Sequence, residues 1–128
     1  PDELRVAHLG CSMYTLGSTL WLLAYRRLRN TPAQNLNHVW AVVSAYYREH
    51  KTPCQFSGLE LGMFHDPKRP RATYPKLKGR GAEVKGLVGA LRHAWGVLVG
   101  NETEEDRHVL SALTLQCEIQ DIIDESST

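Results

Sequence analysis

The chain has 128 residues, 42% hydrophobic and 23% charged, with 15 Lys and Arg against 14 Asp and Glu. One domain of that length buries roughly two thirds of the surface its unfolded chain exposes. The aliphatic content and near-neutral balance exclude collagen-like, coiled-coil and wholly disordered classes. The composition is that of a soluble, all-α globular chain, a single helical domain over residues 1–128. No catalytic signature is present, so the expected role is non-enzymatic.

Taken in order, the chain opens on Pro1-Asp2-Glu3, with neither a basic nor an apolar leader region. This is read as an internal cut from a longer polypeptide rather than a signal peptide. A first helix is expected from about Ser12 to Arg29, because Met13, Leu16, Leu20, Leu23, Ala24 and Leu28 recur at spacings of three and four. Trp21, Leu22 and Tyr25 widen that stripe and make this helix the expected centre of the fold. The apolar stretch from Met13 to Tyr25 is too short to span a bilayer and is interrupted by Thr15, Ser18 and Thr19, so no transmembrane segment is expected.

The second helix has the clearest start. Thr31 is the N-cap, Pro32 takes the first helical position where its missing N–H costs nothing, and Gln34 completes a capping box. Leu36, Val39, Trp40, Val43 and Tyr47 form its inner face. Thr52-Pro53 ends it after the basic turn Arg48, His50 and Lys51. The short connection Arg29-Asn30-Thr31 predicts an antiparallel hairpin of these two helices.

Residues 53–80 break the pattern. Leu59, Leu61 and Met63 alternate with Glu60 and Gly62, which permits a short strand. Pro67, Pro70 and Pro75 then exclude regular structure, leaving a long irregular basic loop before the third helix. Loops of that length in a compact domain are usually functional or disordered. The third helix is expected from about Ala82 to Val99, with Val84, Leu87, Val88, Leu91, Trp95 and Leu98 inward. Gly86, Gly89 and Gly96 are tolerable in it where another helix packs closely, and Gly100 can end it in the left-handed conformation. A fourth helix follows from about Glu102 to Asp124, capped by Asn101 or Thr103. Ala112, Leu115, Ile119 and Ile122 form its expected buried stripe, flanked by Val109, Leu113 and Ile123. The tryptophans Trp21, Trp40 and Trp95 are expected as core anchors.

Charge is segregated along this chain. From Asp66 to Lys85, seven bases oppose Asp66 and Glu83; from Glu102 to Glu125, eight acids oppose Arg107 alone. Such segregation either steers an anionic partner to the basic segment or lets the two segments neutralise each other. The segment Tyr74-Pro75-Lys76-Leu77-Lys78-Gly79-Arg80-Gly81 leads into the third helix. Its glycines, its cations and the free N–H groups of a helix start suit a phosphate. It is neither a Walker A loop nor a Gly-x-Gly-x-x-Gly turn. The candidate nucleic-acid-binding residues are therefore Lys68, Arg69, Arg71, Tyr74, Lys76, Lys78, Arg80 and Lys85, with Tyr74 available to stack on a base. The competing expectation is a structural or adaptor subunit that contacts protein partners in a larger assembly. An exposed apolar patch on the first helix would favour that alternative.

Other chemistry is weakly supported. Three cysteines, Cys11, Cys54 and Cys117, form no disulfide framework and point to a reducing, intracellular compartment; Cys11 and Cys117 are read as small core residues. His8-x-x-Cys11 lacks a second metal-ligand pair, so neither a metal nor another cofactor is expected. A nucleophile would require Cys54 to meet His65 and Asp66. Glu104, Glu105 and Asp106 beside His108 are explained by the helix macrodipole.

The run Tyr74 to Leu87, with Gly17-Ser18-Thr19-Leu20-Trp21 and Gln55-Phe56-Ser57-Gly58-Leu59 upstream, resembles a dispersed family of dinoflagellate open reading frames that accompany mobile-element-like sequence. In that family a Pro-x-Leu-Lys-Gly-Lys-like turn precedes Ala-Glu and a helix. The resemblance covers most of the chain and implies that this is one portion of a longer protein. It carries no established activity, but it implies nucleic-acid association or recruitment as an accessory subunit.

Overall fold

The structure, a computed structural model, describes residues 2–66, 68 and 74–126. Among them the chain is all-helical, with four α-helices: α1 (Asp2–Leu22), α2 (Pro32–His50), α3 (Gly81–Leu98) and α4 (Glu104–Ser126). A π-helical turn, Leu23–Arg27, extends α1, and a single 3-10 turn, Leu61–Met63, lies between α2 and α3. That 3-10 turn replaces the short strand permitted by the alternation around Leu61. Met63 and Phe64 N–H instead donate to Glu60 and Leu61 carbonyls, which closes a turn.

Helix α3 is the hub, packing on each of the other three. Val84, Leu87, Val88, Ala90, Leu91, Ala94 and Trp95 are all buried along it. The central position expected of the first helix therefore falls to α3, whose broad buried face meets all three neighbours. Helix α1 contributes Leu16 and Leu20, the π turn Leu23 and Ala24, and α2 Leu36, Val39, Val43 and Tyr47. Of the tryptophans only Trp95 is fully buried; Trp21 and Trp40 pack half-buried at the margin.

Helix α1 starts ten residues earlier than its apolar stripe indicates. In that first part His8 is buried and Leu9 half-buried while Leu4, Arg5, Val6 and Ala7 are exposed, so no inward apolar pattern announces it. Its far end is finished by Asn35, fully buried in α2. The Asn35 amide donates to the carbonyls of Ala24 (2.7 Å) and Asn30 (3.0 Å) and its Oδ1 accepts from Asn30 N–H (3.1 Å). These bonds satisfy backbone groups that a widened helix end would otherwise strand in the core.

The start of α2 has both halves of the Thr31–Gln34 capping box, and Lys51 ends the helix in the left-handed conformation (φ 51°). Gly100 (φ +93°) follows α3 in a backbone conformation that favours glycine. Gly86 and Gly89 are approached closely by the chain around Cys54 and by the Tyr46 hydroxyl, whereas Gly96 faces open space.

Helix α4 is capped by Thr103, whose Oγ1 accepts from Asp106 N–H (3.1 Å). Its buried face differs from the one hydropathy indicates. Asp106, Leu113, Gln116 and Ile123 turn inward, while Ala112, Leu115 and Ile122 turn outward. Polar ties fix this rotation: Ser12 Oγ donates to Gln116 Oε1 (2.7 Å) and Arg27 forms an ion pair with buried Asp106. Trp95 Nε1–H also donates to the Asp106 carbonyl (3.1 Å), so α1, α3 and α4 meet at one node.

Candidate nucleic-acid interface

The irregular segment 74–80 is held by one buried side chain and three backbone bonds. Leu77 is fully buried, and its N–H donates to the Met13 carbonyl of α1 (2.8 Å). Lys76 N–H donates to Phe64 (3.0 Å) and Lys78 N–H to Met63 (2.7 Å). The alternation follows from extended backbone, in which successive side chains point oppositely. With Leu77 inward, Lys76 and Lys78 are outward and exposed.

Two glycines make the approach feasible. A Cβ on Gly17 would lie 2.7 Å from Lys76 Cα, and one on Gly79 would lie 2.6 Å from the Phe56 ring. The stretches around Gly17, Phe56 and Leu77 thus converge in space. Their glycines and apolar residues have packing roles.

Around this anchored segment, Tyr14, Phe64, His65, Asp66, Tyr74, Lys76 and Lys78 line a hollow of about 420 Å³. The Tyr14 and Tyr74 rings stand 6.0 Å apart at 60°, and Lys76 Nζ lies 5.1 Å from the Tyr14 ring centre. Tyr74 is 71% exposed. His65 is only 5% exposed, packs edgewise on Tyr25, and has an Nδ1 with no hydrogen-bond partner among the described residues. Asp66 Oδ1 accepts from Lys68 N–H (2.9 Å).

Of the candidate site residues, the structure gathers Tyr74, Lys76 and Lys78 in the hollow, leaves Lys68 and Arg80 exposed, and diverts Lys85. Lys85 Nζ pairs with Asp124 of α4 at 2.9 Å, a point at which the basic and acidic segments touch. That hydrogen bond, ahead of all other causes, holds the Asp124 carboxyl below its ordinary value. Arg69 and Arg71 lie outside the described residues. The start of α3 is less open to an anion than its glycines suggest, because Glu83 Oε1 already accepts Arg80 N–H (2.9 Å). Tyr14 and His65 were not among the expected binding residues. The aromatic ring at Tyr14 sits on the expected first helix, but its proximity to Tyr74 depends on the Leu77–Met13 contact.

A larger groove, about 710 Å³, lies elsewhere, between α2, α3 and α4, and includes Tyr46, His50, Arg92, His93 and Cys117. Tyr46 stacks on His50 at 3.9 Å. Burial pushes the Cys117 thiol up, the opposite of what an activated nucleophile needs. Cys11 is exposed rather than a core residue, because it lies on the solvent side of α1, and Cys54 is exposed as well. Cys54 does not line the hollow that holds His65 and Asp66, so the three are not gathered there. Among the described residues no three His, Cys, Asp or Glu side chains are placed to hold a metal ion, and no helix is long and apolar enough to cross a membrane.

Comparisons with known protein families, curated proteins and solved structures find no match.

Proposed function

We propose that this chain is a non-enzymatic module that contacts nucleic-acid phosphate through its basic segment, with Lys68, Lys76, Lys78 and Arg80 as the contact residues and Arg69 and Arg71 as sequence neighbours that add charge. The observation that carries this reading is the contrast within the segment. Leu77 fixes the backbone in the core, while none of Lys68, Lys76, Lys78 and Arg80 forms an ion pair with a described residue. Cations without acidic partners are available to phosphate, and at Lys76 and Lys78 the anchored backbone has little entropy left to lose on binding. Lys85, committed to Asp124, is a poorer contact.

Binding should then fall steeply with salt. A fluorescence anisotropy titration of a labelled oligonucleotide over increasing salt should show a linear log–log decline, and Lys76→Ala with Lys78→Ala should lower its slope by roughly 0.7–0.9 per lysine. Affinity that is insensitive to salt, or absent at low ionic strength, defeats the proposal.

A second reading, a structural or adaptor subunit, is favoured by a separate observation. Leu115 and Ile122 of α4 are 52% and 62% exposed, and Leu4 and Val6 of α1 are exposed as well. Leu115 and Ile122, seven residues apart, share one outward face of α4, which is where a protein partner could dock. Native isolation followed by mass spectrometry, compared between wild type and Leu115→Glu, distinguishes this reading: a co-isolating protein lost from the variant supports it.

A further inference from the structure

Resting on the phosphate reading above, we infer that the hollow beside Tyr74 receives an unpaired base, so that the chain's ligand is a single-stranded nucleic acid. Phosphate contact alone needs only outward lysines. Here the two lysines rim a concavity with Tyr14 and Tyr74 rings and a buried histidine in its lining. Its volume, about 420 Å³, lies within the range of small-molecule sites.

Two features match the parts of a nucleotide. The Tyr74 ring, exposed and inclined at 60° to Tyr14, offers a face on which a base can stack. Lys76 and Lys78 project from the same segment and meet the adjoining phosphates. His65, 5% exposed, is a largely buried polar ring in the same lining. Asp66, the acid in the lining, already has Oδ1 engaged by Lys68 N–H, which moderates its repulsion of the strand.

A base inside a duplex is stacked on both faces and paired along its edge. It does not present a face to Tyr74 without leaving the helix. A single strand needs no such extrusion, which selects it over duplex.

The test compares a single-stranded oligonucleotide with an abasic strand of the same length, so that phosphates are matched and only bases differ. Wild-type chain should bind the base-bearing strand at least about fivefold more tightly, in keeping with one stacked base. Tyr74→Ala should abolish that difference while leaving the abasic affinity and its salt slope unchanged, and Tyr74→Phe should restore it. Tyr74 is exposed, so its replacement leaves the core intact; circular dichroism of both variants checks this. Equal affinity for the two strands with a normal salt slope overturns the base site and leaves the phosphate reading standing. Absence of salt-sensitive binding to either strand overturns both.

Discussion

The basic segment 74–80 and helix α4 both carry dense charge, yet they are positioned by opposite means. The segment has no regular hydrogen-bond ladder of its own, and its place is set by Leu77, by the Met13 carbonyl and by two glycines that admit close contact. Helix α4 forms its own backbone bonds, and what remains to be set is its rotation, which Asp106 and Gln116 decide against the pull of Leu115 and Ile122. A single buried leucine orients the first. In the second, a pair of polar anchors outweighs part of the hydrophobic pattern.

The sharpest way to break this comparison is to remove the leucine. Leu77→Ala should cost about 2–5 kcal/mol, read by urea denaturation, and should weaken oligonucleotide binding as the lysines lose their anchor. On α4, Leu113→Ala should fall in the same range, whereas Leu115→Ala should stay within about 0.5 kcal/mol. Equal costs at 113 and 115 would mean that α4 is rotated from the orientation described. Next in size, Asp106→Ala removes an inward carboxylate and the bond it makes at the helix start, and leaves Arg27, partly exposed, without its partner. A loss of about 2 kcal/mol is expected in thermal or chemical unfolding.

Gly17→Ala should cost about 1–3 kcal/mol, since the new methyl group meets backbone atoms of residues 76 and 77 that have no slack. The smallest effect belongs to Lys85 and Asp124, an exposed pair worth at most about 1 kcal/mol. The Asp124 carboxyl titrates lower in the folded chain than its ordinary 3.8. Its contribution is therefore present above that pH and is lost as pH falls through the depressed folded value. Lys85→Met should flatten this acid dependence slightly, measured as midpoint against pH between wild type and variant.

Much of the scaffold was legible in the amino-acid order. Thr31, Pro32 and Gln34 mark one helix start and Thr103 another because capping is local chemistry, readable from adjacent residues. Gly100 marks an ending for the same reason. The buried face of α4 was not legible, since hydropathy ranks Ala112, Leu115 and Ile122 above Asp106 and Gln116. The polar residues become interior only through Arg27 and Ser12, far away in sequence. The first turns of α1 were not legible because their apolar residues Leu4, Val6 and Ala7 are exposed and leave no inward stripe. In the candidate site, the lysines and Tyr74 stand out by composition, but Tyr14 and His65 join them only after Met13 and Leu77 have been brought together.

That Met13–Leu77 contact also bears on the order of assembly. It joins residues far apart in the chain, so it closes a large loop, a slow event relative to forming either helix alone. The surface that carries Tyr74 and the lysines therefore exists only once α1, the 3-10 turn and the start of α3 are all in place. If a strand binds there as proposed, it favours the completed fold over the unfolded chain, and excess ligand should raise the unfolding temperature of the whole domain by mass action. Thermal shift would then report ligand binding and structural integrity in the same trace.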